Sequence, residues 1–330
     1  MKKRVLILSD GKLGHQNQSV RLAEMLDVEY EILTLERRKW SKLASYIFPS
    51  YIIKNARELK DQFFAVKYDA VIGIGTVPRL ALVWLKKLKP SIKTICIMDP
   101  KTNYDSYDVI ISPNHDGLDS TKLDNVINVT GSLSYFKQED LDFAKEDFRS
   151  EFAPYIKNPL IGLVIGGDAG SYKFSMLKAQ DILDKAFILS NKLNSNIYTT
   201  TSRRTPQAQV DYIKYRMGKS ENPIYVSGER NPYRAIMAYS SIIIVTPETV
   251  SMLMESCATD ALVLIADRDS VKSKRLKAFS QELIDKGMLF DLDEVICKGN
   301  LEELIDLAKD KPKFSELEKA VEFIKSKDVL

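Results

Sequence analysis

The chain is expected to fold as two Rossmann-like, doubly wound α/β halves that face each other across a cleft. Three observations carry that expectation. Short β-branched runs alternate with amphipathic stretches along the whole sequence, the pattern of βα repeats around a parallel sheet. The runs are almost continuously apolar, as strands covered on both faces must be. The length, 330 residues, exceeds what one hydrophobic core usually fills, so the chain should divide.

In the first half the strand-like runs are VLILS (5–9), EYEILTL (29–35), AVIGIG (70–75), KTICIMD (93–99), VIIS (109–112) and VINVT (126–130). Helical stretches such as QSVRLAEML and PRLALVWLKKL lie between them. FAPYIKNP (152–159), with two prolines among polar residues, reads as a linker between an N-terminal domain over 1–151 and a second over 160–310. The second series runs through LIGLVIGG (160–167), NIYTTTS (196–202), PIYVSG (223–228), SIIIVT (241–246) and ALVLIA (261–266). The tail, 311–330, reads as a helix packing back on the N-terminal domain. DLD (291–293) has a weakly metal-like spacing but suits a strand end, and no metal is expected.

Composition excludes several classes. With 45% apolar and 28% charged residues, this is the balance of a soluble globular chain. Its three cysteines, Cys96, Cys257 and Cys297, show no CxxC spacing, so neither a zinc site nor a disulfide framework is indicated and a reducing compartment is expected. No run approaches the roughly 18 apolar residues of a membrane span, and the opening MKKRVLILSD meets an aspartate too early for a signal peptide; a cytoplasmic location follows. A net charge of +3 leaves no general nucleic-acid footprint. Residues 36–60 carry seven Lys/Arg against two Glu, interleaved with Trp40, Tyr46, Ile47, Phe48, Tyr51, Ile52 and Ile53. That stretch suits peripheral contact with an anionic inner membrane face, and equally a helix pair covering the sheet.

In open α/β sheets ligands meet the carboxyl ends of the strands, so polar residues there are the ones to question. In the first half these include Asp10, Gly11, Gly14 and His15 in SDGKLGHQNQ, then Gly75, Asp99, and His115 with Asp116. SDGKLGHQNQ is neither GxGxxG nor a P-loop, and both histidines of the protein sit at strand ends. In the second half, Gly166, Gly167 and Asp168 follow one strand, where glycine amides can lie against a phosphate. Ser202, Arg203 and Arg204 follow the next; arginine's planar fork suits phosphate. Gly228, Asn231 and Tyr233 come after the third. Thr249, Val250 and Ser251 open a helix with an anion-favouring N-terminus, and Glu255 lies two turns on, where a carboxylate can accept from a ribose diol. Together these describe a nucleoside diphosphate site.

These motifs resemble a known family: the plant mitochondrial-fission factors named for elongated mitochondria and their bacterial relatives, with SDGKxGHxNQ, an HD after a proline, GGD, SRRTP, NPY and a T-x-x-S/T-V-S-M-x-x-E segment. The sequence has SDGKLGHQNQ, PNHD, GGD, TSRRTP, NPY and TPETVSMLMESCA in that order, over residues 5 to about 265. Glu248-Thr249 stands where the family often has Asp-Ser, and TDALV (259–263) where related transferases have a Gly-x-Pro turn. More remotely the layout is similar to GT-B glycosyltransferases, MurG among them. The resemblance implies that the second half binds a nucleotide-sugar donor and the first an acceptor, contacted by Asp10, Gly11, Gly14, Gln18, Gly75 and Asp99. His15, or His115 with Asp116, would be the base. The implied reaction is a metal-independent sugar transfer with no cofactor beyond the nucleotide-sugar substrate, to a lipid-linked or cell-envelope acceptor. The competing expectations are a nucleotide-sugar epimerase of the same fold and a non-catalytic recruitment factor.

Overall fold

The computed structural model describes residues 2–38, 49–156, 158–226, 228, 230–299, 303, 305, 306, 308 and 310–330. These form two compact units, Met1–Ser134 with Phe314–Leu330, and Tyr135–Lys313.

The first unit is built on an all-parallel sheet of β1 (Arg4–Ser9), β2 (Glu29–Thr34), β3 (Ala70–Ile74), β4 (Lys93–Ile97), β5 (Val109–Pro113) and β6 (Val126–Val129), in the order β2-β1-β3-β4-β5-β6. β3 and β5 are buried at every position, which is why they read as unbroken apolar runs, whereas the edge strand β2 is largely exposed. The helix Thr76–Leu88 buries Val77, Ala81, Leu82 and Leu85 and ends on Lys86 and Lys87, cations that suit the negative end of its dipole. The helix Glu316–Ser326 belongs to this unit, its buried face formed by Leu317, Ala320, Val321 and Ile324.

Much of the basic stretch, residues 39–48 with Trp40, Tyr46, Ile47 and Phe48, lies outside the described residues. Of the remainder, Ile52 and Ile53 belong to the hydrophobic core, so they are not available to a membrane, while Tyr51 is exposed. Among the described residues no helix is long and apolar enough to cross a membrane.

The second unit has its own parallel sheet, β7 (Leu160–Ile165), β8 (Asn196–Thr201), β9 (Ile224–Tyr225), β10 (Ile242–Val245), β11 (Leu262–Ile265) and β12 (Phe290–Asp291), in the order β12-β11-β10-β7-β8-β9. The division between units falls upstream of 152–159, because the chain from Gln138 to Phe152 is helical and packs on this sheet. Phe152 is fully buried and stacks on both Tyr198 and Tyr239, with centroids 4.8 and 4.9 Å away. β12 ends at the DLD read from sequence as a strand end. Its Asp291 ends the strand and caps the next helix, accepting from the amides of Asp293 and Glu294.

Candidate functional site

Each sheet reverses its strand order once, between β1 and β3 in the first unit and between β7 and β10 in the second. A crevice opens at the carboxyl ends of the strands at such a point.

In the first unit β1 ends at Ser9, and Gly11, with φ +79, turns the chain so that a helix begins at Leu13. His15 therefore lies in the first helical turn. Its Nδ1 stands 3.0 and 3.1 Å from the two carboxylate oxygens of Asp10, and Lys12 adds an ion pair at 3.2 Å. An ionised carboxylate only accepts, so the His15 Nδ1–H donates to Asp10. Gly75, after β3, makes room for this pair. A Cβ there would lie 2.6 Å from Asp10 Oδ2 and 3.2 Å from His15 Nδ1, and its φ of +96 favours glycine on its own.

The other expected dyad is not hydrogen-bonded: His115 Nε2 lies 3.9 Å from Asp116 Oδ1, and both side chains are buried. Asp99, after β4, is also buried; it accepts from the Lys101 amide and Nζ, each at 2.7 Å, and from the Tyr104 hydroxyl at 3.3 Å. Met98, Lys101 and Asn103 around it all have positive φ, a concentration of backbone strain at a strand end. Gln18 uses its amide inside the fold, donating to the Gly14 carbonyl and accepting from Leu133 N–H. It therefore helps hold the helix in place.

In the second unit the glycine amides expected to face a phosphate donate inside the protein instead. Gly166 N–H goes to Thr246 Oγ1 at 2.8 Å and Gly167 N–H to Glu248 Oε1 at 3.1 Å. Asp168 organises the loop through Lys173 at 2.8 Å and the Phe174 amide at 3.0 Å; those contacts hold its carboxyl below the usual range. Ser202 Oγ donates to the Gly166 carbonyl at 2.6 Å, joining the β7 and β8 loops. Arg203 and Arg204 are exposed, and Arg204 reaches to 3.8 Å from Glu248.

Thr249 caps the helix Val250–Cys257, its hydroxyl accepting from Met252 N–H, so Val250 and Ser251 form an open N-terminal turn. Glu255 lies on that helix. Burial pushes its carboxyl up, partly offset by the Tyr233 hydroxyl, which donates to Oε2 at 2.6 Å. Asn231 Oδ1 accepts from Tyr233 N–H at 3.0 Å and so starts the helix that positions the tyrosine. Gly228 offers its carbonyl to the Tyr225 hydroxyl at 2.9 Å. Among the described residues no three metal-ligating side chains come together.

Sequence reasoning treated Asp10 as an acceptor contact and missed its pairing with His15. The available signal was the glycine turn between them. Glu248, unassigned from sequence, proves to be the most deeply buried acid of the second crevice, its side chain without solvent exposure.

The family model for mitochondrial fission ELM1 matches residues 13–321. The chain belongs to that family. Among its relatives, an uncharacterised protein of Rickettsia prowazekii is 26% identical over 88% of this chain and 91% of its own length. The mitochondrial fission protein ELM1 of Arabidopsis thaliana is 24% identical over 67% of this chain and 54% of its own. Solved structures with a similar fold include UDP-GlcNAc 2-epimerase from Neisseria meningitidis bound to UDP-GlcNAc (TM-score 0.64, 12% identity, 99% of both chains). MurG of Acinetobacter baumannii (TM-score 0.56, 14% identity, 98% of this chain and 99% of that one) has it too. So does a glycosyltransferase of Rickettsia africae (TM-score 0.54, 13% identity, 99% and 98%). This ELM1-family chain thus has the GT-B fold, two doubly wound α/β units.

Proposed function

We propose that this ELM1-family protein is a glycosyltransferase that moves a sugar from a nucleotide-sugar donor to an acceptor hydroxyl. The observation that carries the reading is the Asp10–His15 pair at the strand-order reversal of the first sheet. A carboxylate on Nδ1 fixes the orientation of the ring and directs Nε2 to the role of a general base taking the acceptor proton. In the second unit Glu255, steadied by Tyr233, suits a ribose diol. Arg203, Arg204 and the N-terminal turn at Thr249–Ser251 suit the diphosphate, whose charge grows as the sugar departs. The charge of the stretch 36–60, with Tyr51 exposed, fits a lipid-linked acceptor at a membrane surface.

Two measurements test this. UDP or GDP should raise the melting temperature, and Glu255→Ala should remove the rise. His15→Ala should lower turnover of the matching nucleotide sugar by about 10²–10⁴-fold while leaving the nucleotide-induced shift intact. Undiminished turnover would remove His15 as the base. A second reading, a non-catalytic recruitment factor, is favoured by the internal bonding of the Gly166 and Gly167 amides; it predicts no shift with any nucleotide.

A further inference from the structure

The loop best placed to cradle a phosphate is already filled from within. Each backbone N–H from Gly166 to Ala169 is donated inside the protein, the last two to the carbonyls of Arg204 and Tyr172 at 3.0 and 2.9 Å. The Glu248 carboxyl occupies the space over Gly166, where a Cβ would stand 1.2 Å from Oε1. Its side chain has no solvent exposure, and Oε2 has no hydrogen-bond partner among the described residues. A buried polar oxygen left unsatisfied costs roughly 1–3 kcal/mol, more when charged. The site therefore holds an acid poised for a proton or for a ligand.

We propose that Glu248 is the specificity residue of this crevice: its carboxylate stands in for a diphosphate in the free protein, and a nucleoside diphosphate gains the glycine loop only as Glu248 takes up a proton and releases the loop amide. This rests on reading the second unit as a nucleotide site. One proton passes from solvent to the carboxylate, the Gly167 amide leaves Glu248 for the diphosphate, and no other covalent bond forms or breaks. An ionised Glu248 would face the incoming diphosphate as a like charge a few ångströms away, and protonation removes that repulsion.

Among the charged and titratable groups around it, Arg204 is the cation facing the acid, and the Thr246 hydroxyl and Glu248's own amide add neutral support. Arg204, from the β8 loop, is half exposed at 3.8 Å. Tyr172, from the β7 loop, and Tyr233 both feel the Glu248 charge and are themselves pushed upward by burial. Near Tyr172, Asp168 is paired with Lys173 and Asp267 with Lys178, each at 2.8 Å, so these carboxylates are largely neutralised. Burial pushes the Glu248 carboxyl up despite its own backbone amide, the Thr246 hydroxyl, the Gly167 amide and Arg204, which lowers the cost of the uptake.

Calorimetric titration of the full chain with UDP, in two buffers of different ionisation heat, decides the matter. Between about pH 7 and 8.5 the terminal phosphate, whose second ionisation lies near 6, keeps its charge. Wild-type protein should take up close to one proton per UDP, and its affinity should fall about tenfold per pH unit. Glu248→Gln keeps an acceptor for the Gly167 amide without the charge; it should bind UDP with no proton uptake, independently of pH, and more tightly than wild type at the upper pH. If wild type binds UDP without proton uptake, the assignment is overturned while the nucleotide reading stands; the wild-type measurement decides this even if the variant fails to fold. If neither protein binds UDP or GDP, both are overturned.

Discussion

Gly75 shows how a single missing side chain can hold the Asp10–His15 pair together. Its φ of +96 is one that other residues adopt only under strain, and a Cβ would stand 2.6 Å from the Asp10 carboxylate. Gly75→Ala therefore has to relax the backbone and push Asp10 off His15 together. We expect it to cost roughly 1–3 kcal/mol, read as a lower urea midpoint, with turnover falling alongside; equal stability would mean that the turn tolerates a side chain and that glycine is incidental there. The same logic explains what the sequence hides at this scale. Asp10 and His15 are near neighbours, but their contact depends on the helix starting at Leu13, which no local signal fixes to the residue. Gly167 and Glu248 are 81 positions apart, and a contact of that separation leaves no trace in a single chain.

At the level of elements the parallel runs were legible because a strand buried on both faces must be apolar throughout, and β1, β3, β4, β5, β7, β10 and β11 all are, save for one or two end residues. What sequence placed least sharply was short and peripheral. β9 keeps only Ile224–Tyr225 of the run expected over 223–228, and β12 only the two residues up to the strand end expected at DLD, too few for a pattern to fix their bounds. Polar staples between elements are equally silent in sequence, and Asp108 is one. Its Oδ2 accepts from Lys86 Nζ at 2.7 Å, the Thr94 amide at 2.8 Å and Thr94 Oγ1 at 2.9 Å, tying the helix Thr76–Leu88 to β4 just ahead of β5. Burial pushes this carboxyl up, but Lys86 and Thr94 outweigh it and hold the group below the ordinary aspartate range. With the folded value below the unfolded one, near about 3.9, the contribution is present above that pH and disappears as pH falls through the folded value. Asp108→Asn should accordingly cost roughly 1.5–3 kcal/mol near neutrality and progressively less in acid. Urea titrations at several pH values check this, and a gap that persists unchanged below about pH 3 would show that shape, not charge, carries the staple.

For the whole molecule, the chain leaves the first unit after Ser134 and returns to it with Phe314–Leu330, so the last residues of the sequence complete the first core. Leu317, Val321 and Ile324 are buried there, and Glu316, itself 5% exposed, accepts from Thr130 N–H at 3.0 Å. Burying three such side chains contributes about 5–9 kcal/mol at roughly 1.5–3 kcal/mol each, comparable with the whole stability of an ordinary domain, about 5–15 kcal/mol. A chain ending at Lys313 should therefore lose the first unit and keep the second, whose core draws on none of the removed residues. Limited proteolysis with mass spectrometry should then release a resistant fragment close to Tyr135–Lys313, whereas full-length protein is protected in both units. Because the C-terminal helix also packs against the helix bearing His15, the truncated chain should lose sugar transfer while retaining whatever UDP binding the intact protein has. A first unit as resistant as before truncation would show that its core closes without the returning helix; loss of UDP binding together with transfer would show that the second unit is not a self-sufficient nucleotide site.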